Sequence, residues 1–149
     1  MRKTNIIIAF ILLLLTNSCS NVQNEFSSNK CYFVFENSNH NNSRLAEAMT
    51  AYSGVFCTVS LVNEHGAQYY AFTNNSGLPE KKILTDLDKQ RTHILGLNNG
   101  LIVGYGKLSD PLTFYAYDLE CPNCFDPDAI PVRSKKLSIS TSGIATCNR

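Results

Sequence analysis

Three thiols near the C-terminal end of the chain have the types and spacing that metal chemistry needs. Cys121-Pro122-Asn123-Cys124 sets two cysteines on one tight turn, and Cys147 follows 23 positions after Cys124. Thiolates two residues apart on such a turn can reach a single ion. Proline stiffens the turn, and its backbone amides can point at the sulfurs. A tetrahedral zinc with Zn–S bonds of ~2.3 Å takes a second pair of ligands from another hairpin, and Cys147 is placed to begin that pair. A cysteine one place beyond Arg149 would make Cys147-Asn148-Arg149 the start of a second Cys-x-x-Cys. The thiols therefore read as a knuckle pair whose last ligand is missing. The alternative is a disulfide, within Cys121/Cys124 or from one of them to Cys147.

The elements that must deliver these thiols are strands. Leu112 to Tyr117 is a β-former-rich run that feeds the Cys121 turn. Lys136 to Ser140 and Ile144 to Thr146, joined by Thr141-Ser142-Gly143, read as a hairpin ending at Cys147. Upstream, Cys31 to Glu36 reads as a first strand and Asn37 to Ser43 as a loop. Arg44 to Tyr52 carries Leu45, Ala48, Met49 and Tyr52 at helical spacing, with Ser43 as its cap. Gly54 to Val62 and Gln68 to Thr73 flank the turn signal Asn63-Glu64-His65-Gly66, and Asn74 to Lys82 reads as a loop. Thr85-Asp86-Leu87-Asp88 starts a short helix. Thr92 to Leu97 and Leu101 to Tyr105 flank Asn98-Asn99-Gly100, a hairpin signal. About eight short strands and little helix predict an all-β domain, a small antiparallel sandwich or barrel.

Composition narrows the function classes. The 149 residues make one modest domain, with seven Tyr, eight Phe and no Trp to fill its core. The net charge is +1, and loss of a leader containing Arg2 and Lys3 would bring it to −1. No basic stripe remains, which argues against a nucleic-acid partner. No Ser/His/Asp set, paired carboxylates or phosphate-binding glycine loop stands at a useful spacing, so the chain reads as a non-enzyme. His40 and His65 lie in turn-like segments and read as solvated loop residues, while the placement of His93 stays open. Asp118 and Glu120 flank the thiols and can order their turn by accepting from backbone amides.

Met1-Arg2-Lys3 followed by the ten apolar residues Ile6 to Leu15 forms a signal-peptide pattern. At ~1.5 Å rise per residue the run is too short for a ~30 Å hydrocarbon core. Thr16-Asn17-Ser18-Cys19 resembles the lipobox of bacterial lipoproteins, which implies lipid attachment at Cys19 and retention in the outer membrane, on either side. Residues 1–18 are then the leader, 19–30 a Ser- and Asn-rich tether, and 31–149 the domain. Such an address permits disulfides. Cys31 and Cys57 each sit in an apolar pattern, as buried small side chains or as a Cys31–Cys57 bridge.

The segment Gly100-Leu101-Ile102-Val103, with Phe114-Tyr115-Ala116-Tyr117-Asp118 and then Cys121-Pro122, resembles Rieske-type [2Fe–2S] domains, and among them small Rieske-like lipoproteins of Bacteroidetes type. The resemblance covers Asn99 to Arg149. It implies a small domain of stacked antiparallel sheets, with two hairpins delivering two metal-binding loops at one end. Rieske centres take two His ligands, which raise the cluster's potential. Here Asn123 stands two places after Cys121, and Cys124 replaces the imidazole, so the chain looks like a truncated or degenerate member. Three functions follow as expectations. The first is a membrane-anchored, non-catalytic envelope lipoprotein whose Cys121, Cys124 and Cys147 form a structural zinc or disulfide site. The others are an iron–sulfur electron-transfer protein and a surface-binding scaffold.

Overall fold

Two long strands with alternating burial set the architecture. The structure, a computed structural model, describes residues 30–108 and 111–148. The expected leader, the expected tether up to Asn29 and the expected lipid-bearing Cys19 lie outside the described residues. β1 (Phe56–Glu64) and β2 (Ala67–Asn74) form an antiparallel hairpin from Glu64↔Ala67 to Cys57↔Asn74. The two residues between them, His65 at φ 50° and Gly66 at φ 79°, adopt the left-handed backbone that matches the twist of a tight hairpin. This is the turn that Asn63-Glu64-His65-Gly66 predicts.

β3 (Pro79–Ile83) adds to β2, β4 (Leu101–Gly104) adds to β1, and β5 (Tyr115–Asp118) adds to β4. The sheet is antiparallel, in the order β3-β2-β1-β4-β5. A separate hairpin pairs β6 (Ser138–Ile139) with β7 (Ala145–Thr146). Three short helices complete the described elements: α1 (Asn37–His40), α2 (Ser43–Ala48) and α3 (Asp86–Lys89). The all-β expectation holds, as an open five-stranded sheet plus a hairpin, with no closed barrel among the described residues.

Several local expectations are corrected. The run Cys31 to Glu36 joins no strand pairing except one bridge, Tyr32 to Ile94. Its alternation serves another purpose. Phe33 and Phe35 lay their rings on Tyr70, at 5.8 and 5.2 Å between centroids, covering the core face instead of extending the sheet. The predicted loop Asn74 to Lys82 contains β3, whose Pro-Glu-Lys-Lys-Ile composition hides an edge strand guarded by lysines. Asn98-Asn99-Gly100 makes no hairpin, because β4 pairs with β1 and β5. Gly100, at φ 115°, brings its backbone against the Val59 carbonyl where any side chain would collide. Helix α2 stops at Ala48, short of Tyr52. Its cap is Asn42, whose side chain accepts from Leu45 N at 2.7 Å, not Ser43. Ser43 instead donates to Glu80 of β3.

The larger core lies on one face of the sheet, where Cys57, Val59, Tyr70, Phe72, Leu101 and Val103 meet Leu45 and Ala48 of α2. On the other face, Phe56, Ile102 and Leu119 pack with Tyr115, Leu137 and Ile139. The second cluster is smaller, and it ties the sheet to the β6–β7 hairpin. Burying each large apolar side chain contributes about 1.5–3 kcal/mol, so most of the folding free energy resides on the first face.

His40 is buried, contrary to the expectation of a solvated residue. Its ring stacks on Phe35 at 4.7 Å, and Nε2 lies 2.9 Å from Asp88 Oδ2. A helix does start at Thr85-Asp86-Leu87-Asp88, and Thr85 caps it in a reciprocal capping box with Asp88. Burial works to raise the Asp88 pKa, but hydrogen bonds from Thr85 and then the neighbouring His40 hold it below the usual carboxylate value. His93 fits the same network, with Nε2 within 3.0 Å of the Tyr70 hydroxyl and 2.9 Å of the Asp88 carbonyl. His65 stays at its turn. Among the described residues no helix is long and apolar enough to cross a membrane.

Candidate metal centre

The sulfurs of Cys121, Cys124 and Cys147 all lie within 4.8 Å of one another. Cys124 Sγ and Cys147 Sγ are 3.5 Å apart. Two sulfurs bound tetrahedrally at ~2.3 Å from one zinc stand about 3.8 Å apart, so the three thiols have the separations that a single ion needs. They can hold a metal ion. No histidine joins them among the described residues, which leaves an all-sulfur donor set of the soft kind.

Each thiol arrives by a separate piece of local structure. After β5, Leu119 is fully buried in the second cluster and anchors the chain, so that Cys121 lies two residues beyond a fixed point. The amides of Cys124 and Phe125 both donate to the Cys121 carbonyl, at 3.1 and 3.0 Å, closing the turn that presents the first two sulfurs. Cys147 directly follows β7. That hairpin is held to the turn by Cys121 N donating to Lys135 O and Leu137 N to Leu119 O, both at 2.8 Å. The bridge Glu120↔Lys136 belongs to this antiparallel pairing, and beyond the turn Asp126↔Arg133 pairs the same two segments again in a register shifted by three residues. Two hairpins thus converge, as the spacing of the cysteines requires.

Glu120 braces the junction. Its side chain is fully buried, and it accepts from Ser134 Oγ at 2.6 Å, from the Lys135 amide and from Asn99 Nδ2. Asn98 and Asn99 also donate to Ser134 Oγ, at 2.9 and 2.8 Å. Asp118 accepts from Glu120 N at 2.8 Å and Leu97 N at 2.7 Å. The two carboxylates do accept from backbone amides, but at Leu97, Glu120 and Lys135 instead of in the thiol turn itself, whose amides bond the Cys121 carbonyl. The roles of Ser134, Lys135 and Asn99 carry no signal in the sequence, because the segments meet only in the folded chain.

The thiols influence one another. A hydrogen bond from the Cys147 thiol, with help from the Cys124 thiol and the amides of Asn123 and Cys124, lowers the Cys121 pKa against a desolvation that raises it. The same bond to Cys121, then that to Cys124, pushes Cys147 up. The interaction thus favours the thiolate at Cys121 and the proton on Cys147, which a bound cation would displace.

Cys31 and Cys57 are both free thiols, the first exposed and the second buried in β1. Burial pushes the Cys57 thiol up to about 12, which leaves it protonated and inert. No protein-family model, curated protein or solved structure matches the chain.

Proposed function

We propose that this chain is an exported envelope lipoprotein, anchored through Cys19, whose Rieske-like domain carries a non-catalytic single-ion thiolate site. The convergence of Cys121, Cys124 and Cys147 within 4.8 Å is the observation that carries this reading. Zinc suits the donor set. It has no redox chemistry of its own and binds thiolates in structural sites, where the binding free energy adds to folding stability. A [2Fe–2S] cluster divides its protein ligands between two irons, so ligands on opposite irons stand farther apart than ligands on one ion. Three sulfurs in mutual proximity favour one ion over that cluster, and hence a structural role over electron transfer. Cys121, Cys124 and Cys147 would hold the ion, and Glu120 would keep their two hairpins in register.

Metal analysis of protein purified under reducing, anaerobic conditions tests the site. One zinc per chain, lost in Cys124→Ser, is the expected result. Visible absorbance with stoichiometric iron would overturn it in favour of electron transfer. Three freely titrating thiols with no bound metal would leave a scaffold whose function lies in its surface. The anchor is tested separately, because Cys19→Ala should release the protein from the membrane fraction.

A further inference from the structure

The three thiols are not equivalent in what can reach them. Cys121 is only 4% exposed, whereas Cys124 and Cys147 are partly open to solvent. Cys124 also lines a cleft of about 700 Å³, together with Phe125, Asp126, Arg133 and Lys135. The charged side chains in that lining sum to +1, and the single carboxylate, Asp126, is already paired with Arg133. Of the three cysteines only Cys124 lines this cleft, and its sulfur lies 3.5 Å from that of Cys147. A disulfide bond of ~2.05 Å requires those sulfurs to close by roughly 1.5 Å. Such a shift is small for a thiol borne at the end of a two-residue strand.

We propose that Cys124 and Cys147 form a reversible disulfide by exchange with an acidic low-molecular-weight disulfide that binds in this cleft. The inference deepens the metal-site reading by giving the site a redox-controlled release. The Cys124 thiolate attacks one sulfur of the incoming disulfide, forming a mixed disulfide and expelling the first small thiolate. Cys147 then attacks Cys124 Sγ, forming the Cys124–Cys147 bond and expelling the second. The two protein sulfurs lose two electrons and the small disulfide gains them, leaving as two thiolates that take protons from solvent when zinc had held the protein's sulfurs as thiolates. Two of the three metal ligands are consumed, so the ion leaves, and Cys121 remains as a shielded thiol.

The test uses the full chain carrying Cys31→Ser, which removes an exposed free thiol that would react in parallel. Reduced, zinc-loaded protein is treated with oxidised glutathione and mapped by non-reducing peptide mass spectrometry. A Cys124–Cys147 disulfide, a free Cys121 and one zinc released per bond are expected. The Cys121→Ser variant should form the same bond, and Cys147→Ser should stop at glutathione attached to Cys124. Reaction with oxidised glutathione should be several-fold faster than with cystamine, its cationic counterpart. A dominant Cys121–Cys124 bond would overturn the pairing, and equal rates would overturn the anionic ligand class. If the reduced protein binds no zinc, the metal reading fails, while the mapping still decides the disulfide.

Discussion

The two ends of the sheet are held together by different physics. Around Tyr70 and Phe72 the chain buries a continuous apolar cluster under α2, Phe33 and Phe35, with His40 and Asp88 sealed inside it. Around the thiols, strands of two residues are joined by a few backbone bonds, by the fully buried carboxylate of Glu120 and by a modest cluster at Leu119. The first region needs no ligand to be stable. In the second, backbone bonds and the Glu120 carboxylate do much of the work that apolar area does in the first. The proposed binding of metal and reaction with oxidants would thus act on the less apolar end and spare the core that carries it.

Changes at either end should test that contrast. Phe72→Ala should have the largest effect, lowering global stability in urea by ~3–5 kcal/mol, because a fully buried ring leaves a cavity against Tyr70 and Phe35. Glu120→Ala should cost about 2–3 kcal/mol by stranding donors from Ser134, Lys135 and Asn99. Its effect should be regional, with faster hydrogen exchange at residues 134–137 and unchanged protection in β1 and β2. Equal losses at both ends would break the contrast.

Acid offers a third probe. Glu80 is desolvated, which raises its pKa, but donors from Lys82, Ser43 and the Arg44 amide win and bring it down to about 2 from 4.5. A folded value below the unfolded one gives stability that is present above pH 4.5 and is lost as pH falls towards 2. After allowance for solvent screening at this partly open rim, the contribution is about 1–2 kcal/mol. Urea unfolding between pH 6 and 2 should show this slope, reduced in Glu80→Gln. Chelation of the proposed zinc should accelerate exchange in β6 and β7 by about tenfold and leave β1 and β2 alone. The smallest effect should come from His65→Asn, which eases a left-handed turn residue and stabilises the hairpin by only ~0.3 kcal/mol.

Legibility in the sequence followed the same division. The β1–β2 hairpin was readable because its turn residues and β-formers are local signals, and so was the helix start at Thr85. The strand β3 was not, since an edge strand is selected for charge and carries Lys81 and Lys82 in place of β-formers. Cys31 to Glu36 has a strand's alternation, yet its backbone pairs only at Tyr32 because burying two phenylalanines on the core satisfies the same pattern. His40 looked like a loop residue, and only the fold brings it to Asp88, 48 positions away. For the site, spacing identified the three thiols and left Ser134, Lys135 and Asn99 unseen.

By itself the sequence determined an all-β chain and a set of cysteines whose spacing suits one ion, because turn chemistry and Cys-x-x-Cys geometry act over a few residues. Only the tertiary structure decided that Cys147 reaches the Cys121 turn, that Cys31 and Cys57 stay apart as free thiols, and that Cys124 alone of the three lines the cleft. Those outcomes depend on strand order and on which segment covers which face. Both are fixed by burial among residues far apart in the chain, and no local pattern encodes them.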